Sequence, residues 1–299
     1  MNESTRKDRA ETPTVSIERV GVVGAGQMGM GIAEVCAVAG SQVLVCDVDQ
    51  KAVDHGRAKL EASLARALSR GKIERAQHDA VLALVGFTTE LSDFADRQFV
   101  VEAVIESEPE KIEVFAKLDK VVEDVDAIFA SNTSSIPIMR LGMATGRPQQ
   151  VLGLHFFNPV TVQRLVELIP SIATSEDTAD RVDAYMTNVI GKRVIRSQDR
   201  AGFIVNYLLV PFLLSAVRMY ESGFASVADI DDGMVEGCAH PMGPLALSDL
   251  IGLDTVKAVA DSMYAEHKEP LYASPPLLSR LVESGRLGRK TGRGFYDYS

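Results

Sequence analysis

The hydrophobic pattern of the chain changes near residue 200. Before that point, short apolar runs of strand length alternate with longer amphipathic stretches, for example 49–70 and 109–123. Nearly continuous apolar strands that alternate with helices are typical of a parallel sheet covered on both faces. After residue 200 the strand signals disappear and apolar positions follow the helical period. The pattern predicts an α/β protein with an N-terminal, mostly parallel sheet and an all-α C-terminal domain.

The predicted elements follow these two patterns along the chain. The strand candidates are IERVGVV (17–23), QVLVCD (42–47), VGFTT (85–89), FVVEAVI (99–105), AIFASN (127–132), VLGLHFF (151–157) and RLVELI (164–169), with KRVIRSQD (192–199) as an edge strand or a connector. The helical segments beyond the boundary are 203–221, 226–236, 252–266 and 275–284. We therefore expect a polar, disordered tail at 1–16, an N-terminal domain at 17–199 and a helical domain at 200–299.

A glycine motif joins the first predicted strand to the following helix. Residues 20–29 read VGVVGAGQMG, so Gly24, Gly26 and Gly29 form G-x-G-x-x-G directly after an apolar run. In dinucleotide-binding βαβ units these glycines permit the tight turn, the approach of a pyrophosphate and close helix packing. The pyrophosphate then lies at a helix N-terminus, which favours negative charge. Asp47, at the end of the next apolar run, can accept hydrogen bonds from the adenosine ribose.

The order of strand, glycines, helix and acid predicts a Rossmann-type domain that binds NAD. The alternative is a Gly-rich turn without a ligand, since the glycine spacing alone also occurs by chance. Because the preference for NAD depends on Asp47 alone, NADP stays open as the cofactor.

A histidine and a glutamate lie in two neighbouring strand candidates. His155 belongs to LHFFNPV, and Glu167 belongs to RLVELIP after a short connection. If these strands form an antiparallel hairpin centred on Thr161, the two residues face each other with Cβ atoms about 4.5–5.5 Å apart. A lone histidine in a strand is more often structural, but a buried glutamate is costly unless it is paired. The pair therefore predicts a general base whose imidazole is held by a carboxylate.

Other polar side chains leave two interpretations open. Ser131–Ser135 follow a buried strand, where open α/β sheets bind ligands, but the same residues are good helix caps. Asn206 is the single strongly polar side chain of GFIVNYLLVPFLL, so we expect a buried amide that needs partners and either ties helices together or reaches a ligand. Glu106 and Lys111 flank a strand-to-helix turn, for which a solvated helix start is the simpler interpretation.

Composition narrows the classes of partner. The formal net charge is −10. We therefore expect neither a nucleic acid nor an anionic membrane as a partner, because both need an electropositive face on the protein. Cys36, Cys46 and Cys238 lie in apolar sequence without metal-binding spacing, which indicates reduced core residues of a cytoplasmic protein and no metal. No apolar stretch is long enough to span a bilayer. The basic run at 66–75 is expected to be a solvated face, or else to receive a phosphorylated ligand.

Several motifs in order resemble the 3-hydroxyacyl-CoA dehydrogenases, in particular the stand-alone 3-hydroxybutyryl-CoA dehydrogenase type. They are GAGQMG, VVEAVIE, SNTSS, GLHFFNPV, the D-x-x-GFIVN stretch, HPMGPLALSDLIGLD and the closing GRKTGRGFYDY. The resemblance covers nearly the whole chain after residue 16. It implies a Rossmann domain and a helical C-terminal domain that forms a dimer interface. We expect no fused hydratase domain, because 299 residues are too few to include the one found in multifunctional relatives.

The resemblance also implies site residues. The catalytic positions fall on Ser134, His155, Glu167 and Asn206. The cofactor contacts fall on Gly24, Gly26, Gln27, Met28, Gly29, Asp47, Glu106 and Lys111. The acyl-CoA contacts fall on Ser63 and Arg70, with Ser134 and Asn206 also touching substrate.

The activity so implied transfers a hydride between C3 of a short-chain 3-hydroxyacyl-CoA and NAD. His155 takes the hydroxyl proton, and Glu167 fixes its tautomer and stabilises the imidazolium. Ser134 hydrogen-bonds the reacting oxygen, and Asn206 holds the substrate's oxygens. The alternatives are a dehydrogenase of a free hydroxy acid, sugar acid or carnitine, and a non-catalytic crystallin-like or NAD(H)-sensing protein. A lysine-based hydroxyacid dehydrogenase fits the His–Glu hairpin poorly.

The segment from Phe203 to Met219 is more apolar than one helix needs to cover its own core. Monomers rarely leave a large apolar patch exposed, and twofold homo-oligomers are the commonest way to cover one. We therefore expect a homodimer formed by the helical domains.

Overall fold

The computed structural model describes residues 17–298, so the predicted disordered tail at 1–16 lies outside the described residues. The strands of the described part are β1 (Arg19–Val23), β2 (Gln42–Cys46), β3 (Val85–Thr88), β4 (Phe99–Glu102), β5 (Ile128–Ser131), β6 (Val151–Phe156), β7 (Leu165–Pro170) and β8 (Arg193–Arg196). Every predicted strand is therefore confirmed, and β8 settles the 192–199 segment as a strand rather than a connector.

The helices fill the intervals between strands and most of the chain after residue 200. They are α1 (Gln27–Val38), α2 (Gln50–Ser69), α3 (Arg75–Leu84), α4 (Glu108–Val121), α5 (Ile138–Gly142), α6 (Glu176–Ala184), α7 (Val205–Glu221), α8 (Val227–Cys238), α9 (Pro244–Ile251), α10 (Leu253–His267) and α11 (Pro276–Glu283). Asp49, Ser175 and Ser226 begin α2, α6 and α8 by accepting a backbone N–H in the first turn. The predicted helices are confirmed.

The sheet has the strand order β3-β2-β1-β4-β5-β6-β7-β8. Strands β1 to β6 pair in parallel, and β7 pairs antiparallel to β6. The order reverses between β1 and β4, and ligands of open α/β sheets bind at such a switch point beyond the carboxyl ends of the strands. The predicted fold class, a Rossmann-type mostly parallel sheet with an all-α C-terminal part, is confirmed.

Both faces of the sheet are covered by apolar side chains. On one face Phe99 of β4 packs edge-on against Tyr185, with ring centroids 5.8 Å apart. On the other, Phe129 of β5 meets Phe115 of α4 with ring centroids 6.4 Å apart. Burial on both faces explains why these strands are continuous apolar runs instead of alternating patterns.

The chain forms two compact units. The first comprises 17–132 and 141–195 of the described residues, and the second comprises 133–140 together with 196–298. Each has its own hydrophobic cluster; that of the second unit is built from α7, α10 and α11 and their neighbours, including Leu213, Leu214 and Met263. The sequence predicts a single boundary at 199/200, so it does not assign the short segment 133–140 to the second unit.

Two expectations about burial are wrong. Cys36 and Cys46 are buried as predicted, but Cys238, the last residue of α8, is exposed. Asn206 is partly exposed in the first turn of α7 and is not a buried amide. Apolar neighbours of Asn206 are exposed as well, among them Ile204 and Leu208, and Cys238 lies next to the exposed Ala239, so both residues belong to helix ends that stay at the surface of the single chain.

Candidate active site

The glycine turn follows β1 and lies at the switch point. Gly24 has a φ of +107°, and a Cβ there would come within 2.5 Å of the carbonyl oxygen of Ala103, beyond the end of β4. A Cβ at Gly29 would overlap the carbonyl oxygen of Gly24. These two glycines therefore serve the tight turn and the close helix packing that the sequence predicts.

Asp47 follows β2 and has a fixed orientation. Its Oδ2 accepts the N–H of Ala25 at 2.6 Å, and its Oδ1 accepts the N–H of Val48 at 2.7 Å. The carboxylate is thereby held against the glycine turn. Because each carboxylate oxygen can accept more than one hydrogen bond, Asp47 keeps acceptor capacity for ribose hydroxyls.

The residues present fit a dinucleotide. A Cβ at Gly26 would meet nothing within 4 Å, so the backbone there is open to an approaching pyrophosphate. Gly26 is the N-cap residue of α1 and provides no side-chain cap, which leaves the first N–H groups of the helix for an anion. The side chain of Gln27 donates to Asn158 at 2.9 Å, and that of Met28 packs against the core. Both can contribute to the cofactor through their backbone N–H groups.

A buried ion pair lies at the carboxyl end of β4. The Nζ of Lys111 lies 2.6 Å from Oε1 of Glu102 and 3.3 Å from Oε2 of Glu106. Glu102 also accepts the N–H of Val104 at 2.7 Å and the hydroxyl of Ser131 at 2.6 Å. Both partners of the main pair are almost fully buried, so Glu102 ties β4 and β5 to α4.

The solvated helix start, which was the simpler interpretation of this turn, is therefore wrong for Lys111. Glu102 accepts most of the hydrogen bonds of this network. The sequence did not reveal it, because nothing near this acid in the apolar run FVVEAVI indicates that Lys111 is its partner. Glu106 is the half-exposed member at this edge of the sheet. The predicted cofactor contacts of Glu106 and Lys111 remain predictions.

His155 and Glu167 face each other across the β6–β7 hairpin. The strand register pairs the two residues directly, as the sequence predicts, and Nδ1 of His155 lies 2.7 Å from Oε2 of Glu167. Their side chains are 7% and 0% exposed, so solvent does not weaken this contact. Because the carboxylate accepts the hydrogen on Nδ1, the lone pair of the neutral imidazole resides on Nε2. That arrangement suits proton transfer at Nε2.

The serine-rich run after β5 divides between the two units. In the first unit, Asn132 accepts the N–H of Phe156 through Oδ1 at 2.9 Å. In the second unit, Thr133 accepts the N–H groups of Ser135 and Ile136 at 3.2 and 2.9 Å. The capping interpretation of the run therefore applies to Thr133, whereas Ser134 is half-buried in the turn that Thr133 shapes.

A carboxylate from elsewhere in the second unit supports the Ser134 segment. Asp199 accepts the N–H groups of Ile138 and Met139 at 2.8 and 2.9 Å, at the start of α5. The hydroxyl of Ser262 donates to the carbonyl of Ser135 at 3.2 Å. Burial raises the pKa of Asp199, and its two backbone hydrogen bonds oppose that rise. These contacts explain why 133–140 belongs to the second unit.

The first unit also contains a pocket of about 330 Å³. It is lined by α1, by α2 and by the connection between β6 and β7; its polar lining includes Glu34, Lys59, Ser63, Arg66 and Asn158. Burial raises the pKa of the Glu34 carboxyl, against a hydrogen bond from Ser63 and the charge of Arg66.

Of the two positions of α2 predicted to contact CoA, one lines this pocket and the other does not. Ser63 lies in the pocket, while Arg70 is an exposed residue at the end of α2 and does not line it. The cations that line the pocket are Lys59 and Arg66. Residues seven positions apart lie on the same face of a helix, so this spacing could have identified them as pocket residues from the sequence.

Nothing between residues 17 and 298 forms a helix long and apolar enough to cross a membrane.

The fold and the site define a nicotinamide-dependent dehydrogenase. The profile "3-hydroxyacyl-CoA dehydrogenase, NAD binding domain" matches residues 19–200, and the profile of the C-terminal domain matches 202–298. The chain therefore belongs to the NAD-dependent 3-hydroxyacyl-CoA dehydrogenase family, which confirms the resemblance seen in the motifs.

Individual relatives agree along nearly the whole chain. A 3-hydroxybutyryl-CoA dehydrogenase of Mycobacterium tuberculosis is 57% identical over 283 residues, which are 95% of this chain and 99% of that protein. The crystal structure of M. tuberculosis FadB2 matches with a TM-score of 0.94 and 57% identity, covering 95% and 100% of the two chains. That of (S)-3-hydroxybutyryl-CoA dehydrogenase from Ralstonia eutropha matches with a TM-score of 0.90 and 43% identity, again covering 95% and 100%.

Proposed function

We propose that this protein interconverts short-chain 3-hydroxyacyl-CoA and 3-ketoacyl-CoA thioesters, such as 3-hydroxybutyryl-CoA and acetoacetyl-CoA, with His155 as the general base and acid. The observation that carries the proposal is the buried 2.7 Å contact between His155 and Glu167. The names of the similar proteins support the short acyl chain. NAD, when bound, supplies the hydride acceptor, and the chain supplies orientation and proton transfer.

In the oxidation, Nε2 of His155 takes the proton of the 3-hydroxyl while C3 gives up its hydride. The carboxylate of Glu167 holds Nδ1–H and stabilises the imidazolium that forms, because opposite charges attract strongly in a buried site. In the reduction, the protonated imidazole returns the proton to the 3-oxygen. Phe157, whose ring centroid lies 4.7 Å from that of His155, limits the ring's freedom to turn.

The pocket of the first unit is proposed to receive the CoA carrier. Lys59 and Arg66 supply positive charge for its phosphates, and Ser63 supplies a hydroxyl for its amide groups. Arg70 stays a prediction as a further phosphate contact. Ser134 and Asn206 also stay predictions: the family resemblance implies that Ser134 hydrogen-bonds the reacting oxygen and that Asn206 holds the substrate's oxygens.

We further propose that the active form is a homodimer assembled through the second unit. Apolar side chains of that unit stand in solvent in the single chain: Leu208 is 71% exposed and Phe224 is 79% exposed. A second copy that covers such residues would remove apolar area from water. Light scattering at micromolar concentration should give about twice the chain mass of 32.3 kDa; an active monomer would disprove the dimer and leave the chemistry untouched. Three free cysteines agree with a cytoplasmic location.

Steady-state kinetics test the proposed activity. We expect turnover of acetoacetyl-CoA with NADH, lower kcat/KM for longer 3-ketoacyl-CoAs, and lower kcat/KM with NADPH. Free acetoacetate, a free sugar acid and carnitine serve as the competing substrates. A preference for any of these over the thioester would contradict the proposal, because the pocket would then have no carrier to hold.

A further inference from the structure

Lys192, just before β8, is buried in the first unit. It is 9% exposed, and lysines are rarely this buried unless they are paired. Its Nζ donates to the carbonyl oxygens of Val160 at 2.5 Å and of Gln163 at 2.6 Å. No carboxylate forms an ion pair with it within residues 17–298. The ammonium group therefore binds backbone carbonyls instead of a counter-charge.

Both carbonyls belong to the connection between β6 and β7. The same connection forms one wall of the pocket, through Asn158, Pro159, Val160 and Thr161. Its internal hydrogen bonds converge on a single carbonyl, that of Pro159, which accepts the N–H groups of residues 162 and 163 at 3.0 and 2.9 Å. Lys192 supplies charged donors to the carbonyls that this small turn leaves pointing inward, and charge-assisted hydrogen bonds are the strong ones.

The opposite side of the connection rests on helix α1. Val160 is 3% exposed, and a Cβ at Gly31 would come within 2.8 Å of the Cβ of Val160. The pocket wall is therefore clamped between a glycine of α1 and the ammonium group of Lys192. Loss of either restraint changes the position of the wall.

His155 and Glu167 have a restraint of their own outside this connection. They are held by the antiparallel ladder of β6 and β7, in which Leu152 to Phe156 pair in register with Val166 to Pro170. A change at the connection can thus alter the pocket without displacing the proton-transfer pair. This separation makes the role of Lys192 measurable.

We propose that Lys192 is a positioning residue that fixes the pocket wall for the acyl-CoA and so sets its KM, but not kcat. The inference rests on the proposed function of the pocket. The kinetic effect of Lys192 is confined to substrate binding because neither the imidazole nor its carboxylate touches the ammonium group.

The test compares Lys192→Met, which removes the donors at similar length, with Lys192→Arg, which keeps charge and donors. Lys120→Met, an exposed lysine of α4, is the matched control. We expect Lys192→Met to raise KM for acetoacetyl-CoA about tenfold, with kcat within about twofold and KM for NADH unchanged. Lys192→Arg should recover part of the loss, and Lys120→Met should match the parent. A lower Tm with unchanged KM, or a loss confined to kcat, would overturn the inference.

Gly31→Ala tests the same wall from the other side and does not need Lys192→Met to fold. It should also raise KM for acetoacetyl-CoA, because the new methyl group displaces Val160; an unchanged KM would overturn the inference. Ser63→Trp, which fills the pocket, separates this inference from the proposed function. If Ser63→Trp leaves KM unchanged, the pocket does not hold the CoA carrier. If it raises KM and the two wall variants do not, the inference about Lys192 alone fails.

Discussion

The two units of the molecule both bury carboxylates, but they give them different partners. In the first unit Glu102 and Glu167 pair with titratable side chains, Lys111 and His155. In the second unit Asp231 and Asp249 accept hydrogen bonds from backbone N–H groups and tyrosine hydroxyls. Burial is nearly complete in all four acids, so burial alone does not distinguish them.

The aspartates of the second unit are saturated by groups that do not exchange protons near neutral pH. Asp231 accepts the N–H groups of Leu245 and Ala246 at 2.8 and 2.9 Å, which caps α9, and the hydroxyl of Tyr296 at 2.9 Å. Burial and the neighbouring Asp231 raise the pKa of that hydroxyl.

Asp249 likewise accepts backbone and tyrosine hydrogen bonds, here from residues 295–298. It accepts the N–H groups of Phe295 and Tyr296 at 2.9 Å each and the hydroxyl of Tyr298 at 3.0 Å. A Cβ at Gly294 would overlap its carboxylate, so the final segment must approach it closely.

This difference shows that the partners of a buried acid indicate whether it is structural or catalytic. An acid that binds several fixed backbone donors stabilises a chain connection, and its removal leaves those donors unsatisfied. An acid that holds one nitrogen of an imidazole tunes a proton-transfer group. The partner is therefore the more informative observation.

The largest expected effect is that of His155→Gln on catalysis. Removal of the base should lower kcat by about 10²–10⁴-fold, the usual value of general acid–base catalysis. NADH affinity and Tm should change little, because a neutral polar side chain still faces Glu167. Stopped-flow reduction of acetoacetyl-CoA measures the loss, and Glu167→Gln should show a smaller loss of the same kind. Near-normal turnover in His155→Gln would remove the proposed distinction between the two units.

Asp231→Ala should produce the reverse result, a loss of stability without a loss of chemistry per folded molecule. Three donors lose their acceptor, and each unsatisfied buried group costs about 1–3 kcal/mol, so we expect roughly 3 kcal/mol or more of lost unfolding free energy. Urea denaturation measures it. Asp232→Ala, on the exposed side of the same helix, is the control and should cost less than about 0.5 kcal/mol. Equal costs for the two variants would show that the hydrogen bonds of Asp231 add nothing.

Asp47 sharpens the comparison because it lies in the first unit and yet accepts from two backbone N–H groups, as the aspartates of the second unit do, while its oxygens keep capacity for further hydrogen bonds. Its charge opposes a 2′-phosphate on the adenosine ribose. The double variant Asp47→Ser and Val48→Arg should therefore raise kcat/KM for NADPH relative to NADH by about tenfold or more. Single Val48→Arg is the control. A parent enzyme that already prefers NADPH would show that Asp47 has no such role.

The smallest effect concerns the cysteines of the two units. Burial raises the pKa of the Cys36 thiol to about 12 and that of Cys46 to about 11. At pH 8 their thiolate fractions are therefore about 10⁻⁴ and 10⁻³, and reaction needs the thiolate. We expect a thiol reagent to label one cysteine rapidly, the exposed Cys238, and Cys238→Ser to abolish that phase. Rapid labelling of Cys36 would show that the first unit opens on the time scale of the reaction.

Much of the fold could be predicted from sequence, because periodicity and turn chemistry are local properties. The glycine turn, the strands and the His155–Glu167 register follow from spacing along the chain, since a short hairpin allows few pairings. Cys238 and Asn206 were misjudged for the opposite reason: each lies at a helix end whose apolar residues stay exposed in the single chain, and burial there depends on tertiary packing. The linear pattern does not say which side faces the core.

The sequence by itself determined the elements, the sheet class, the cofactor turn and the family, because each depends on residues close together in the chain. Only the tertiary structure decided that Lys111 is buried against Glu102, that Lys192 holds a pocket wall about thirty residues earlier in the chain, and that the Ser134 segment belongs to the second unit. Those contacts join groups distant in sequence, and a buried charge or carbonyl acquires its partner only when the sheet and helices have packed.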